Sequence, residues 1–307
     1  MNPTMSRDAL SVAATHVRRQ RVIARLDRDI RRREFWRELN PGLSLSDGPV
    51  ARGAALGEVP AADVTSTFEQ VRAEGYCQTP PIIDPGDVAR LAEGVRRIAD
   101  LGLPAVFVFV YDEVYALLAR VSHWAAPVLG DGALFLPSEF FAFAVEPGDP
   151  SWTRWSAFGP HRDWLGGDPG VLGRGWPTVL NFWIPLVDVT TLDSCIYVVP
   201  APGDPDYFAA TKCADWTRFR LQDIRALPAE AGSILAWTTH TAHWGSRSSV
   251  SSTTTRISLA AYVQRRDVPP FAEAVDVAGA IPFDDRVRWV FESLTEAGAL
   301  PHAAVTR

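Results

Sequence analysis

Gly159-Pro160-His161-Arg162-Asp163-Trp164 sets a histidine and a carboxylate two residues apart. Side chains alternate between faces on an extended chain, so His161 and Asp163 point the same way and make a ready pair of metal ligands. Far downstream comes Gly232-Ser233-Ile234-Leu235-Ala236-Trp237-Thr238-Thr239-His240-Thr241-Ala242-His243-Trp244-Gly245-Ser246, then Arg256-Ile257-Ser258. One His, one Asp and a remote His can occupy one face of an iron centre and leave the opposite positions open to a bidentate cosubstrate and O2, as in non-haem Fe(II) oxygenases. Beyond the last ligand, Arg256 has the forked geometry that takes a carboxylate through two hydrogen bonds.

Two histidines compete for the distal position. His240 stands three residues before His243, and on a strand an offset of three turns a side chain to the opposite face, so only one of them faces the metal. The Trp244-Gly245-Ser246 turn favours His243 and leaves His240 as a core or supporting histidine.

The texture around these ligands is β. Leu134 to Val145 is aromatic-rich, Thr178 to Val187 and Ser194 to Val199 are rich in β-branched residues, and Gly232 to Thr239 and Arg256 to Gln264 follow, with Pro and Gly breaks between them. Ligands on two widely separated strands of this kind fit a mainly β fold with flanking helices (α+β), a double-stranded β-helix or jelly roll of the cupin sort. The expected organisation is a helical region over residues 1–132, the β core over 133–270 and a helical tail over 271–307, together one structural domain. Within the first region the alternation at 105–110 predicts a strand, and Asp112 to Leu129 a helix. Asp284 to Ala297 predicts a closing helix.

Between about residues 135 and 265 the chain resembles the phytanoyl-CoA dioxygenase family of Fe(II)- and 2-oxoglutarate-dependent oxygenases. The pieces that carry the resemblance are His161-x-Asp163, Val179-Leu180-Asn181-Phe182-Trp183-Ile184-Pro185-Leu186, Ile196-Tyr197-Val198-Val199-Pro200, and His243-Trp244-Gly245-Ser246 with Arg256 downstream. After Pro200 stands Ala201-Pro202-Gly203-Asp204 where the family has Gly-Ser-His, and the Asn of the family's distal turn is missing from Ser246-Arg247-Ser248-Ser249-Val250-Ser251. The resemblance implies Fe(II) on His161, Asp163 and His243, 2-oxoglutarate as cosubstrate with O2, and Arg256 on the far carboxylate of 2-oxoglutarate. Ser258 shares the Arg256 face, Trp183 matches the Trp lining the family's cosubstrate pocket, and Asn181 shares the face of Trp183. An Asp at position 163 fills the place that related halogenases leave open for chloride, so hydroxylation is the expected outcome, with desaturation or cyclisation available to the same oxidant. Arg162, Arg154, Trp155, Trp164 and Trp176 crowd the expected mouth as a substrate cradle, the arginines for an anionic group and the tryptophans for stacking. A metal-dependent isomerase or hydrolase would keep the triad without needing Arg256, and a non-catalytic binding protein would tolerate loss of a ligand.

Composition narrows the classes. A chain of 307 residues, 47% hydrophobic, can bury a sizeable core. Its net charge of −6 gives no electrostatic case for nucleic acid. The three cysteines, Cys77, Cys195 and Cys213, are scattered and odd in number, which fits a reducing cytoplasm rather than a disulfide framework. The N-terminus lacks the pattern of a signal peptide, and the longest apolar run, Leu103 to Val110, is too short to span a bilayer. The expected partner is a small molecule of biosynthetic character, with a carrier protein or a homodimer partner left open.

Residues 16–38 hold nine arginines against four acidic residues. Val22, Ile23, Leu26 and Ile30 recur at helical spacing, so this stretch predicts an amphipathic helix ended by Asn40-Pro41-Gly42, its charged face solvated.

Overall fold

The computed structural model describes residues 7–48, 61–130, 134–149, 159–163, 177–208, 215–277 and 279–296. Among them are six α-helices, α1 (Arg7–Ile30), α2 (Arg33–Leu39), α3 (Ala61–Glu74), α4 (Pro85–Asp100), α5 (Asp112–Ala125) and α6 (Phe283–Glu296). The strands are β1 (Tyr76–Gln78), β2 (Leu134–Pro137), β3 (Phe140–Val145), β4 (Val179–Pro185), β5 (Ile196–Val199), β6 (Arg225–Leu227), β7 (Leu235–Thr238), β8 (Ala242–Gly245), β9 (Arg256–Arg265) and β10 (Ala274–Val275).

They form two antiparallel sheets. The larger, of seven strands, runs β1-β7-β4-β9-β2-β10, with β3 also paired to β9, and the smaller runs β6-β5-β8. This is the jelly-roll arrangement with flanking helices that the β texture predicts.

Strand β9 shows why the larger sheet sits where it does. Nine of its ten residues are buried, so the strand is covered on both faces. Ile257, Leu259, Ala261 and Val263 join a core shared with α4, α5 and α6, together with Leu180, Phe182 and Ile184 of β4. The alternate residues Arg256, Ala260 and Tyr262 turn the other way and line a cavity of ≈ 550 Å³ between the two sheets. Period-two alternation thus separates a helix-packed apolar face from a pocket face that carries the polar chemistry.

Two N-terminal expectations change. The helix over 16–38 breaks at Arg31-Arg32, and α2 turns so that the buried Trp36 donates its indole N–H to the carbonyl of Ile30, the last residue of α1, at 2.8 Å. That bond satisfies one of the carbonyls a helix end leaves open. The strand expected over residues 105–110 is a 3-10 helix, Ala105–Val110, entered through Pro104 and buried at every residue. Its alternating apolar side chains serve two neighbours rather than two sheet faces. Phe107 stacks on Trp36 with ring centroids 5.3 Å apart, whereas Phe109 stacks on Phe140 at 4.6 Å. Packing on all sides has overridden the β preference of Val and Phe.

The closing helix α6 lies within one residue of its expected bounds, and α5 starts at Asp112 as expected but ends at Ala125, a turn short of Leu129. Asp84 caps α4 by accepting from the Asp87 backbone N–H, and Val88, Leu91, Val95 and Ile98 are its buried stripe. No helix among the described residues is long and apolar enough to cross a membrane.

Candidate metal centre

His161 lies in the short described segment 159–163 and pairs as an isolated antiparallel bridge with His243 in β8. Each donates its backbone N–H to the other's carbonyl, at 3.1 and 3.0 Å. Directly opposed residues on an antiparallel pair send their side chains to one side, and the two imidazole centroids are 4.3 Å apart. Asp163, two residues on, completes the group. Its Oδ1 lies 3.5 Å from His161 Nε2 and its Oδ2 3.4 Å from His243 Nε2. One donor atom from each of the three falls within 4.8 Å of the others, the geometry of a site that could hold a metal ion.

The tautomers suit a metal. His161 Nδ1 lies 2.7 Å from the Gly159 carbonyl and His243 Nδ1 lies 3.0 Å from the Thr241 carbonyl. A carbonyl only accepts, so each Nδ1 carries the proton and each Nε2 keeps its lone pair for a metal. The Thr241 carbonyl is itself held in place, because the Thr241 hydroxyl donates to the Gly75 carbonyl at 2.7 Å. Gly75 has φ +82, and a Cβ there would fall 2.8 Å from that hydroxyl oxygen, so this close approach needs glycine.

Electrostatics follow from burial and proximity. Burial opposes ionisation of Asp163, yet His243, His161 and Asn181 together hold its pKa well below the usual carboxylate range. Burial, aided by His161 and opposed by Asp163, pushes His243 down to about 4. His161 is disfavoured as a cation by burial, but the Asp163 carboxylate outweighs that and raises its pKa.

Arg256 lines the same cavity and is 1% exposed. Its Nη1 donates to the Ser194 carbonyl at 2.8 Å, and its guanidinium carbon sits 5.3 Å from the centroid of Phe143 and 5.8 Å from that of Trp183. Burial lowers its pKa to about 10, which leaves it cationic at neutral pH. Two buried donors close to it, Trp183 Nε1 and Ser258 Oγ, have no hydrogen-bond partner among the described residues. A cation flanked by two unused donors fits an acidic cosubstrate with several acceptor oxygens.

Three of the residues singled out in the sequence have protein partners of their own. Asn181 lines the cavity, but its Nδ2 donates to Asp163 Oδ2 at 2.8 Å, so its amide serves the metal ligand. Arg162 borders the cavity, yet its guanidinium donates to Asp204 at 2.6 Å with both side chains fully enclosed, so its charge is spent on that pair. His240 lies in the turn between β7 and β8, its Nδ1 2.8 Å from the Tyr207 carbonyl, and is not among the triad's neighbours. Arg154, Trp155, Trp164 and Trp176 lie outside the described residues.

The cavity also holds residues that the motifs did not mark, namely Glu139, Phe141, Phe143, Trp237 and Tyr262. Tyr262 was within reach of the sequence, since it shares the β9 face of Arg256 and Ser258. Phe141 and Phe143 needed the β3–β9 register, which sets them opposite Ala260 and Ser258.

No protein-family model matches the chain, and no curated protein matches it. The phytanoyl-CoA dioxygenase resemblance therefore rests on the motifs alone. Solved structures do match. The non-heme monooxygenase ThoJ in its apo form is 16% identical over 76% of this chain and 96% of its own, with a TM-score of 0.55. The ThoJ–Ni complex is 17% identical over the same shares, with a TM-score of 0.52. AviO1 from Streptomyces viridochromogenes Tue57 is 18% identical over 69% of this chain and 99% of its own, with a TM-score of 0.51. At such identities the likeness establishes the shared jelly-roll fold.

Proposed function

We propose that this chain is an Fe(II)- and 2-oxoglutarate-dependent oxygenase that hydroxylates an unactivated C–H bond of a small natural-product substrate, with release of succinate and CO2. The observation that carries the reading is a single cavity lined by both a His161, Asp163, His243 donor set and a buried Arg256. The solved neighbours described as a non-heme monooxygenase, one of them with nickel, are consistent with it.

His161 and His243 would hold the iron through Nε2 and Asp163 through a carboxylate oxygen, leaving coordination positions for cosubstrate and O2. Iron, 2-oxoglutarate and O2 together supply an oxidant able to remove a substrate hydrogen. The rest falls to the protein. Arg256 fixes the far carboxylate of 2-oxoglutarate, with Trp183 Nε1 and Ser258 Oγ as further donors. Phe141, Phe143, Trp237 and Tyr262 give the cavity an aromatic wall that excludes water and presents stacking surface to a substrate. Asp163 fills the position that halogenation requires to be open, which favours hydroxylation. The Arg162–Asp204 pair removes Arg162 from substrate recognition, and Arg154, Trp155, Trp164 and Trp176 stay the candidates for the mouth.

The test is succinate formation from 2-oxoglutarate by anaerobically iron-loaded protein exposed to O2, with His243→Ala, His240→Ala and Arg256→Ala beside the wild type. Slow turnover lost with His243→Ala and Arg256→Ala but retained with His240→Ala is expected. A wild type that binds iron but neither binds nor consumes 2-oxoglutarate overturns the reading.

A further inference from the structure

Two residues on adjacent strands converge on one carboxylate oxygen. Asn181 in β4 stands directly opposite Trp237 in β7 on one side and Tyr262 in β9 on the other. The row Trp237-Asn181-Tyr262 therefore crosses the large sheet at a single level, with its side chains on the cavity face. Asn181 Nδ2 donates to Asp163 Oδ2 at 2.8 Å, and Trp237 Nε1 donates to the same oxygen at 3.1 Å. Tyr262 closes the row on the cavity face, where burial first and the Asp163 carboxylate second raise the pKa of its hydroxyl.

A carboxylate oxygen offers about two lone-pair positions. Two N–H donors on Oδ2 fill both, and Oδ1 is the oxygen left to a metal. We infer that Trp237 and Asn181 are positioning residues that fix Asp163 as a one-point metal ligand through Oδ1. This deepens the metal-binding half of the function proposed above and rests on it. Sheet register, more than the 159–163 segment itself, then sets the aim of the ligand, because β4, β7 and β9 are locked to one another by continuous pairing. The row also explains why a polar Asn stands among the apolar residues of a strand buried at every position. Without Asp163 its amide would be stranded against the aromatic wall.

The experiment titrates Co(II) into the wild type, Trp237→Phe, Asn181→Leu and Asn181→Asp without cosubstrate, and records affinity by calorimetry together with the visible cobalt spectrum. Circular dichroism and melting of the metal-free proteins check folding, and Trp237→Phe, which keeps an aromatic ring and deletes the N–H, remains informative if a change at Asn181 fails to fold. Outer-sphere losses at metal sites cost about 10- to 100-fold in affinity, and that is expected for Trp237→Phe and Asn181→Leu. Asn181→Asp, which replaces a donor by a like charge, should be weaker still. With one of its two donors gone, Oδ2 should also join the metal, so the cobalt spectrum of Asn181→Leu should shift toward higher coordination. Folded variants with the wild-type affinity and spectrum overturn the inference. Because turnover is not measured, a protein that holds cobalt on His243 but never consumes 2-oxoglutarate removes the oxygenase reading and leaves this one standing.

Discussion

His161 and His243 exchange both of their backbone hydrogen bonds, so the two histidine ligands are fixed to each other through the main chain before any metal arrives. A metal that bridges their side chains adds a second tie between the same two segments. Binding to the folded state alone stabilises by about 2.7 kcal/mol at a hundredfold excess over Kd. Saturating Zn(II) or Co(II) should therefore raise the melting temperature of the wild type and slow amide exchange at His161 and His243. His243→Ala should show neither effect, and an equal shift in that variant would place the metal elsewhere.

Acid should weaken the site through one residue. Metal binding needs neutral imidazoles and an ionised carboxylate. Asp163 stays ionised to far below neutrality and His243 resists protonation down to about 4, whereas the carboxylate beside His161 raises its pKa above the ordinary histidine value. As pH falls through the His161 pKa, the proton competes with the metal, and affinity should drop roughly tenfold per pH unit. Calorimetric titrations between about pH 5.5 and 8 should show this one-proton slope, reached at higher pH than an isolated histidine would give. A flat profile would mean that Asp163 does not hold the proton on His161.

Much of this centre was legible because its chemistry sits in short motifs. The two-residue spacing of His161 and Asp163 fixes a shared face, whereas the turn expected at Trp244-Gly245-Ser246 falls earlier, between β7 and β8, with Trp244 and Gly245 inside β8. What stayed hidden depends on register or packing. Phe141 and Phe143 become cavity residues only once β3 is aligned with β9. The pairing of Asn181 with Asp163 stayed hidden for the same reason, since nothing local shows that residue 181 stands beside Trp237 and beneath Asp163. Residues 105–110 have the alternation of a strand, and only the aromatic neighbours Trp36, Phe140 and Phe291 turn them into a 3-10 helix.

Arg162 should prove a stability residue. It lies between two ligands, and alternation turns it away from them into a closed pair with Asp204. Removing one partner of a buried ion pair costs about 3–5 kcal/mol because the other charge is left uncompensated. Arg162→Ala should lower unfolding free energy by that order in urea, and the double variant Arg162→Met with Asp204→Leu should recover most of it. If Arg162→Ala keeps its stability and instead loses substrate affinity, the arginine belongs to the substrate cradle after all.

Arg256 should be irreplaceable by lysine. Its guanidinium is oriented by the carbonyl of Ser194, a residue held in the left-handed region at φ +62, and by the rings of Phe143 and Trp183. The guanidinium is a planar fork whose paired geometry toward a carboxylate an ammonium cannot reproduce. Hydrogen bonds to charged groups contribute about 1.5–3 kcal/mol each. Loss of one corresponds to roughly a 10- to 150-fold weaker 2-oxoglutarate complex. Calorimetry of 2-oxoglutarate binding to metal-loaded Arg256→Lys and Arg256→Met should show at least that loss, with metal affinity retained because the triad is untouched. A variant that binds 2-oxoglutarate as tightly as the wild type but melts earlier would assign Arg256 to the inter-sheet core, and the cosubstrate carboxylate would need another partner in the cavity.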